Sequence, residues 1–150
     1  MVEASAGPTI IRTKLNPPAR GQLVARLGLV RRLVRHPRAR VTLVTAPAGW
    51  GKSTLVADWA ASPLEGRRFA WVGLEATEDH PVRFWLHVVE SLRQLEPTAF
   101  QTATTLIRQP GTSVADVVVP AVLNALAGLR RWCSRWTTCT RSVTPRCWPR

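Results

Sequence analysis

The eight residues Ala46-Pro47-Ala48-Gly49-Trp50-Gly51-Lys52-Ser53 follow the pattern A/G-x-x-x-x-G-K-S/T, and this run limits what the chain can fold into more than any other. Its form is that of a strand-to-helix turn. Glycine admits left-handed backbone angles and close approach of a ligand. Successive amides then face one point, and the helix that follows offers its positive end to the same point. By average residue usage the pattern arises by chance in a chain this long on the order of one time in a hundred. Its context is also right: Val41 to Thr45 is a β-branched run suited to a buried strand, and Lys52 to Ala61 reads as a helix. In this motif the lysine, here Lys52, bridges the β- and γ-phosphates, while the Ser53 hydroxyl ligates Mg²⁺. The expected phosphate-binding residues are Ala46, Pro47, Ala48, Gly49, Trp50, Gly51, Lys52, Ser53 and Thr54, with ATP or ADP and Mg²⁺ as ligands.

The rest of the chain divides around this loop. Residues 1–21 hold Pro8, Pro17 and Pro18 and read as an extended arm. From Gln22 to Arg35, Leu23, Leu27, Val30, Leu33 and Val34 recur at helical spacing between arginines, and His36-Pro37 ends the run. Phe69 to Leu74 reads as a second apolar strand. Pro81 suits the first turn of a helix whose stripe is Val82, Trp85, Leu86, Val89, Leu92 and Leu95, with Asp79 ahead as a cap. A further helix is expected from Ser113, with Asp116 completing a capping box, to Leu129, kinked at Pro120. Strands alternating with helices make the expected fold α/β: an incomplete P-loop NTPase domain over 22–129, a parallel sheet with flanking helices, followed by an irregular tail over 130–150.

With 45% hydrophobic and 20% charged residues in 150, wholesale disorder is excluded. No apolar run reaches the length of a membrane span, and no secretory leader is readable at Met1 to Gly7, so a cytoplasmic location without a membrane partner is expected. The net charge of +12 points to a polyanion, but six arginines and no acid lie from Arg130 to Arg150, so half the excess is tail. Arg31 to Arg40 reads as a solvated basic face. All three cysteines, Cys133, Cys139 and Cys147, share the tail, match no zinc spacing and read as reduced bystanders. Trp59, Trp71 and Trp85 fall on apolar stripes and belong to the core, whereas Trp50 is expected to pack over the loop. His36, His80 and His87 form no ligand spacing.

Arg12-Thr13-Lys14-Leu15-Asn16-Pro17-Pro18, Leu23-Val24-Ala25-Arg26 and the run Val41 to Ser53 together resemble the start of the large ATP-binding, maltose-regulator-like LuxR-type transcriptional regulators. Ala70 to Glu75 and Asp79 to Trp85 are similar to that family's second strand and the acidic turn before its next helix. The likeness spans about residues 12 to 129. It implies a signal-transducing NTPase of the STAND class that uses bound ATP or ADP as a switch. It also implies an adenine pocket at Leu23, Val24 and Arg26; read from the residues alone, these are equally well core and solvated charge. DNA would be bound only through a helix-turn-helix domain absent from this chain.

One departure bears on catalysis. A P-loop enzyme needs a second strand ending in acid to hold Mg²⁺ and orient water. The family shows an apolar run ending in Asp-Asp after the position of Leu129. This chain instead shows Arg130-Arg131-Trp132-Cys133-Ser134-Arg135-Trp136-Thr137-Thr138-Cys139, and no acid lies beyond Asp116. No catalytic residue is therefore assigned, and hydrolysis is expected to be absent or very slow. The tail itself reads as out of frame. Joining the third base of each codon to the first two of the next forces GTG, valine, across Trp132-Cys133 and GAC, aspartate, across Trp136-Thr137. With CG-type arginine and TC-type serine codons the shifted reading runs Val, Leu/Phe, a free position, Leu/Val/Met, Asp, an allowed second Asp, an apolar residue, His/Tyr. That is an apolar strand with an acidic end. The competing readings are a small basic module binding nucleic acid or protein without nucleotide, and a non-functional fragment.

Overall fold

In the computed structural model, residues 9–18, 26–36, 41–74, 80–129 and 139–140 are described. Their elements in chain order are α1 (Leu27–Arg35), α2 (Lys52–Ala60), β1 (Gly73–Leu74), α3 (Pro81–Leu95), α4 (Gln101–Arg108), α5 (Val119–Gly128) and β2 (Cys139–Thr140). A 3₁₀ turn at Arg12–Leu15 precedes them. A π-helical turn at Val114–Val118 leads into α5.

The largest core joins α3, α4 and α5. Along α3 the spacing of Leu86, Val89 and Leu92 puts all three on one face, where they meet Phe100, Ala103 and Ile107 of the α4 segment and Val118 and Val122 at the start of α5. Burial of this apolar surface is what holds three short helices together, since none is long enough to be stable alone. Pro81 occupies the first turn of α3 as its missing amide hydrogen permits. At its far end the Glu96 amide donates to Leu92 and Pro97 follows.

A second packing unit positions the loop. Leu55 and Trp59 of α2 meet Val30 of α1, with Leu33, Val34, Val44 and Phe69 against them. Val56 and Ala57 of α2 meet Trp71 from the other side. Helix α2 is thus anchored on two faces, which is why its apolar residues run consecutively rather than in one stripe. Trp59 and Trp71 are core, as expected, and Trp85 is half-buried.

Three differences from the sequence expectation have physical causes. Val41 to Thr45 forms no strand, and Val41 and Leu43 are 84% and 81% exposed. A parallel strand exists only through neighbours that satisfy its amides and cover its faces, and among the described residues Val44 packs against α2 but no strand pairs with this segment. The second strand shrinks to Gly73–Leu74, although Ala70, Trp71 and Val72 ahead of it are buried. Its partner comes from the tail: Gly73 lies opposite Cys139 and Leu74 opposite Thr140, in parallel. Ahead of Pro120 the expected α-helix begins as a π turn at Val114–Val118, and Pro120 falls in the first turn of α5, where its missing amide hydrogen costs no helical bond.

The arm is more than an extended lead. Leu15 is buried, the Asn16 side-chain amide donates to the Arg12 carbonyl, and the backbone of Lys14 runs beside Gly73, where a β-carbon would stand 3.5 Å from the Lys14 oxygen. Farther on, Ser113 accepts from the Asp116 amide and donates to its carboxylate at 2.5 Å, so the cap is a one-sided version of the predicted box.

Candidate functional site

The loop of residues 46–51 enters α2 through two glycines in left-handed conformation, Gly49 with φ +80° and Gly51 with φ +73°. Non-glycine residues avoid this region, and no non-glycine residue among those described adopts positive φ. The Trp50 amide donates to the Pro47 carbonyl at 3.4 Å, folding the loop back on itself. The first amide of α2 to bond within the helix is that of Leu55, which donates to Gly51 at 2.9 Å. The amides of Lys52, Ser53 and Thr54 precede it, at the positive end of the helix. Gly51 caps α2 with no side-chain hydrogen bond. Around Gly49 a β-carbon would meet nothing within 4 Å, so the loop is open on that side.

Lys52 reaches back over this turn. Its ammonium donates to the Ala46 carbonyl at 2.6 Å and to the Pro47 carbonyl at 2.8 Å. A cation is thereby held at the loop mouth by two neutral acceptors, which an anion can displace. Ser53, on the first turn of α2, is half-buried. The donor set of amides, a helix start, an ammonium and a hydroxyl fits a Mg²⁺-bound polyphosphate: anion donors and a hard oxygen ligand are what such a group takes.

Residues 46–54 form one continuous turn into α2, and Trp50, expected to pack over it, is 62% exposed. Of the three adenine-pocket residues, Leu23 and Val24 lie outside the described residues. Arg26 is described, and its guanidinium donates to the Trp50 carbonyl at 2.8 Å. The sequence-predicted cap Asp79 and the tail apart from Cys139–Thr140 also lie outside the described residues, as does the basic stretch 37–40. Arg31, Arg32 and Arg35 are exposed on α1. Among the described residues no group of three His, Cys, Asp or Glu side chains gathers as a metal site, and no helix is long and apolar enough to cross a membrane.

Two side chains carry structural work that sequence reasoning left unassigned. His87 is buried in α3; its Nε2 accepts from the Ile11 amide at 3.3 Å and its Nδ1 donates to the Arg83 carbonyl at 2.9 Å, so it ties the arm to the helix. Glu65, below Trp59, accepts from the indole at 2.6 Å and from the Arg67 backbone and guanidinium, and Arg67 stacks over the Trp59 ring at 5.0 Å. Burial pushes the Glu65 carboxyl up, but the bonds from Arg67 and Trp59 outweigh it and hold the group below the ordinary carboxylate range.

Comparison with known proteins places these residues in a wider setting. Over 121 residues, 79% of this chain, it is 30% identical to the serine/threonine-protein kinase PknK of Mycobacterium tuberculosis, covering 11% of that protein. It is 38% identical over 85 residues, 56% of the chain, to the HTH-type transcriptional regulator MalT of Serratia proteamaculans, and 35% identical over 85 residues to MalT of Yersinia enterocolitica. The chain spans about a tenth of the length of these relatives. No family model matches it, and no solved structure matches it.

Proposed function

We propose, from the premise that this chain belongs with the large LuxR-type regulators, that residues 46–54 bind the phosphates of ATP or ADP and that the chain is part of a nucleotide-responsive transcriptional regulator. One observation carries the reading. Two left-handed glycines deliver the chain into the start of α2 with the Lys52 ammonium folded over the turn. That arrangement concentrates positive potential on one point with little further ordering to pay for, which is what an anion-binding loop needs. Bound Mg²⁺ would bring charge neutralisation to the phosphates, with the Ser53 hydroxyl as its ligand from this chain. Lys52 would exchange the Ala46 and Pro47 carbonyls for phosphate oxygens. The MalT relatives are named HTH-type transcriptional regulators, and DNA binding would rest with a helix-turn-helix of that kind rather than with residues 46–54. With no acid beyond Asp116 to place Mg²⁺ and water, the chain binds nucleotide without appreciable turnover.

Titration of the purified chain with labelled Mg·ATP and Mg·ADP tests this. Saturable binding that Lys52→Ala abolishes, with circular dichroism unchanged, is the expected result. Equal affinity in both proteins would overturn it, and salt-sensitive DNA binding without nucleotide would favour the basic-module reading.

A further inference from the structure

The loop is contacted by a second cation that the A/G-x-x-x-x-G-K-S/T pattern does not require. Arg26 starts α1, its carbonyl accepting from the amides of Leu29 and Val30 at 3.0 and 3.1 Å. Its side chain leaves the helix and crosses to the loop, where Nη1 donates to the Trp50 carbonyl at 2.8 Å. The guanidinium also lies against the next residue: three of its atoms stand 3.5 to 3.8 Å from where a β-carbon on Gly51 would be. Trp50 O and Gly51 N–H belong to one peptide unit, and in a trans peptide the two point in opposite directions. Drawing the carbonyl toward α1 therefore turns the Gly51 amide away from it, one residue before Lys52.

Resting on the phosphate-binding reading above, we infer that Arg26 is a positioning residue for the phosphate loop, setting the Trp50–Gly51 peptide so that the turn is formed before a polyphosphate arrives. The planar fork of a guanidinium fixes both the distance and the direction of a carbonyl, which a lysine in the same place would not. The role differs from the adenine contact implied for Arg26 by family resemblance. A base contact distinguishes nucleotides from one another, whereas a device acting on the loop affects every polyphosphate alike. It also ties the first turn of α1 to the loop, so displacement of α1 would be felt at the phosphate site through one side chain.

The test compares wild type with Arg26→Ala and Arg26→Lys in two measurements. In backbone NMR spectra of the chain without nucleotide, Arg26→Ala should shift and broaden the Trp50 and Gly51 resonances while those of Val89, Leu92 and Val122 in the main core stay in place. Unchanged Trp50 and Gly51 resonances would overturn the inference whether or not the chain binds nucleotide. In titrations, Arg26→Ala should weaken Mg·ATP, Mg·GTP and inorganic tripolyphosphate by a common factor of about tenfold, with Arg26→Lys between it and wild type. A loss confined to adenine nucleotides would assign Arg26 to the base and overturn the inference. Absence of all polyphosphate binding in wild type would instead remove the phosphate reading, leaving the NMR comparison to decide the loop contact.

Discussion

Gly51→Ala and Gly28→Ala add the same methyl group to the same chain and should move its stability in opposite directions. At Gly51 the nearest atoms to the new β-carbon belong to the Arg26 guanidinium, the first 3.5 Å away, which is ordinary contact, so the penalty is that of the backbone. Holding an L-residue at φ +73° costs roughly 1–2 kcal/mol, offset in part by about 0.4–1 kcal/mol from the stiffer unfolded chain. Gly28 sits in α1 with nothing within 4 Å of its β-carbon, and alanine there favours the helix by about 0.5–1 kcal/mol. With roughly 4 °C in Tm per kcal/mol, Gly51→Ala should melt a few degrees below wild type and Gly28→Ala a few degrees above it. If the loop escapes the strain by leaving the left-handed region, the amides of the turn are lost as an anion cradle, and nucleotide affinity should fall by about 5- to 30-fold, the equivalent of that strain. Melting followed by circular dichroism and a titration with labelled ADP read both effects. A Gly51→Ala protein that melts with Gly28→Ala and binds like wild type would show that the loop does not depend on its left-handed glycine.

Glu65→Gln should lower stability by about 1–3 kcal/mol, since the carboxylate accepting from Trp59 and Arg67 is almost wholly buried. Because the folded pKa of Glu65 is lowered, its contribution is complete above the unfolded carboxylate pKa and fades as acid reaches the folded value, so the gap between wild type and mutant measured at neutral pH should narrow below about pH 4; an equal gap at both would refute the assignment. His87→Leu removes the acceptor of the Ile11 amide, and tryptic cleavage at Arg12 and Lys14 should then speed up by roughly threefold or more; an unchanged rate would mean that Leu15 alone holds the arm. Phosphate release under saturating Mg·ATP should stay far below the roughly 1 per second of an ordinary enzyme. Sequencing the coding DNA past Leu129 should reveal the acidic strand end in the shifted frame; its absence there would reject the frame explanation of the tail.

Local chemistry alone made the glycine-rich turn into α2 legible. Gly49, Gly51, Lys52 and Ser53 are recognised by type and spacing because each answers a local demand, whether a left-handed angle, a charge or a hydroxyl at a helix start. The same holds for α2 and α3, whose bounds were readable to within a residue, since a proline or a glycine marks where each begins. Helix α4 escaped notice although Phe100, Ala103 and Ile107 have helical spacing: four of its eight residues are threonine, glutamine or both in turn, and Thr104 and Thr105 fit the helix only by bonding back to the carbonyls of Phe100 and Gln101. Strand Val41–Thr45 failed for the opposite reason. A β-branched run states a preference, but a strand is made by the strands it pairs with, and none among the described residues pairs with it. Distant pairings were likewise beyond sequence reach. That Arg26 holds the Trp50 carbonyl, 24 residues on, and that His87 accepts from Ile11, 76 residues back, depends on where α1 and α3 come to rest. Periodicity shows which face of a helix is apolar and carries no record of which polar group the packed face will meet.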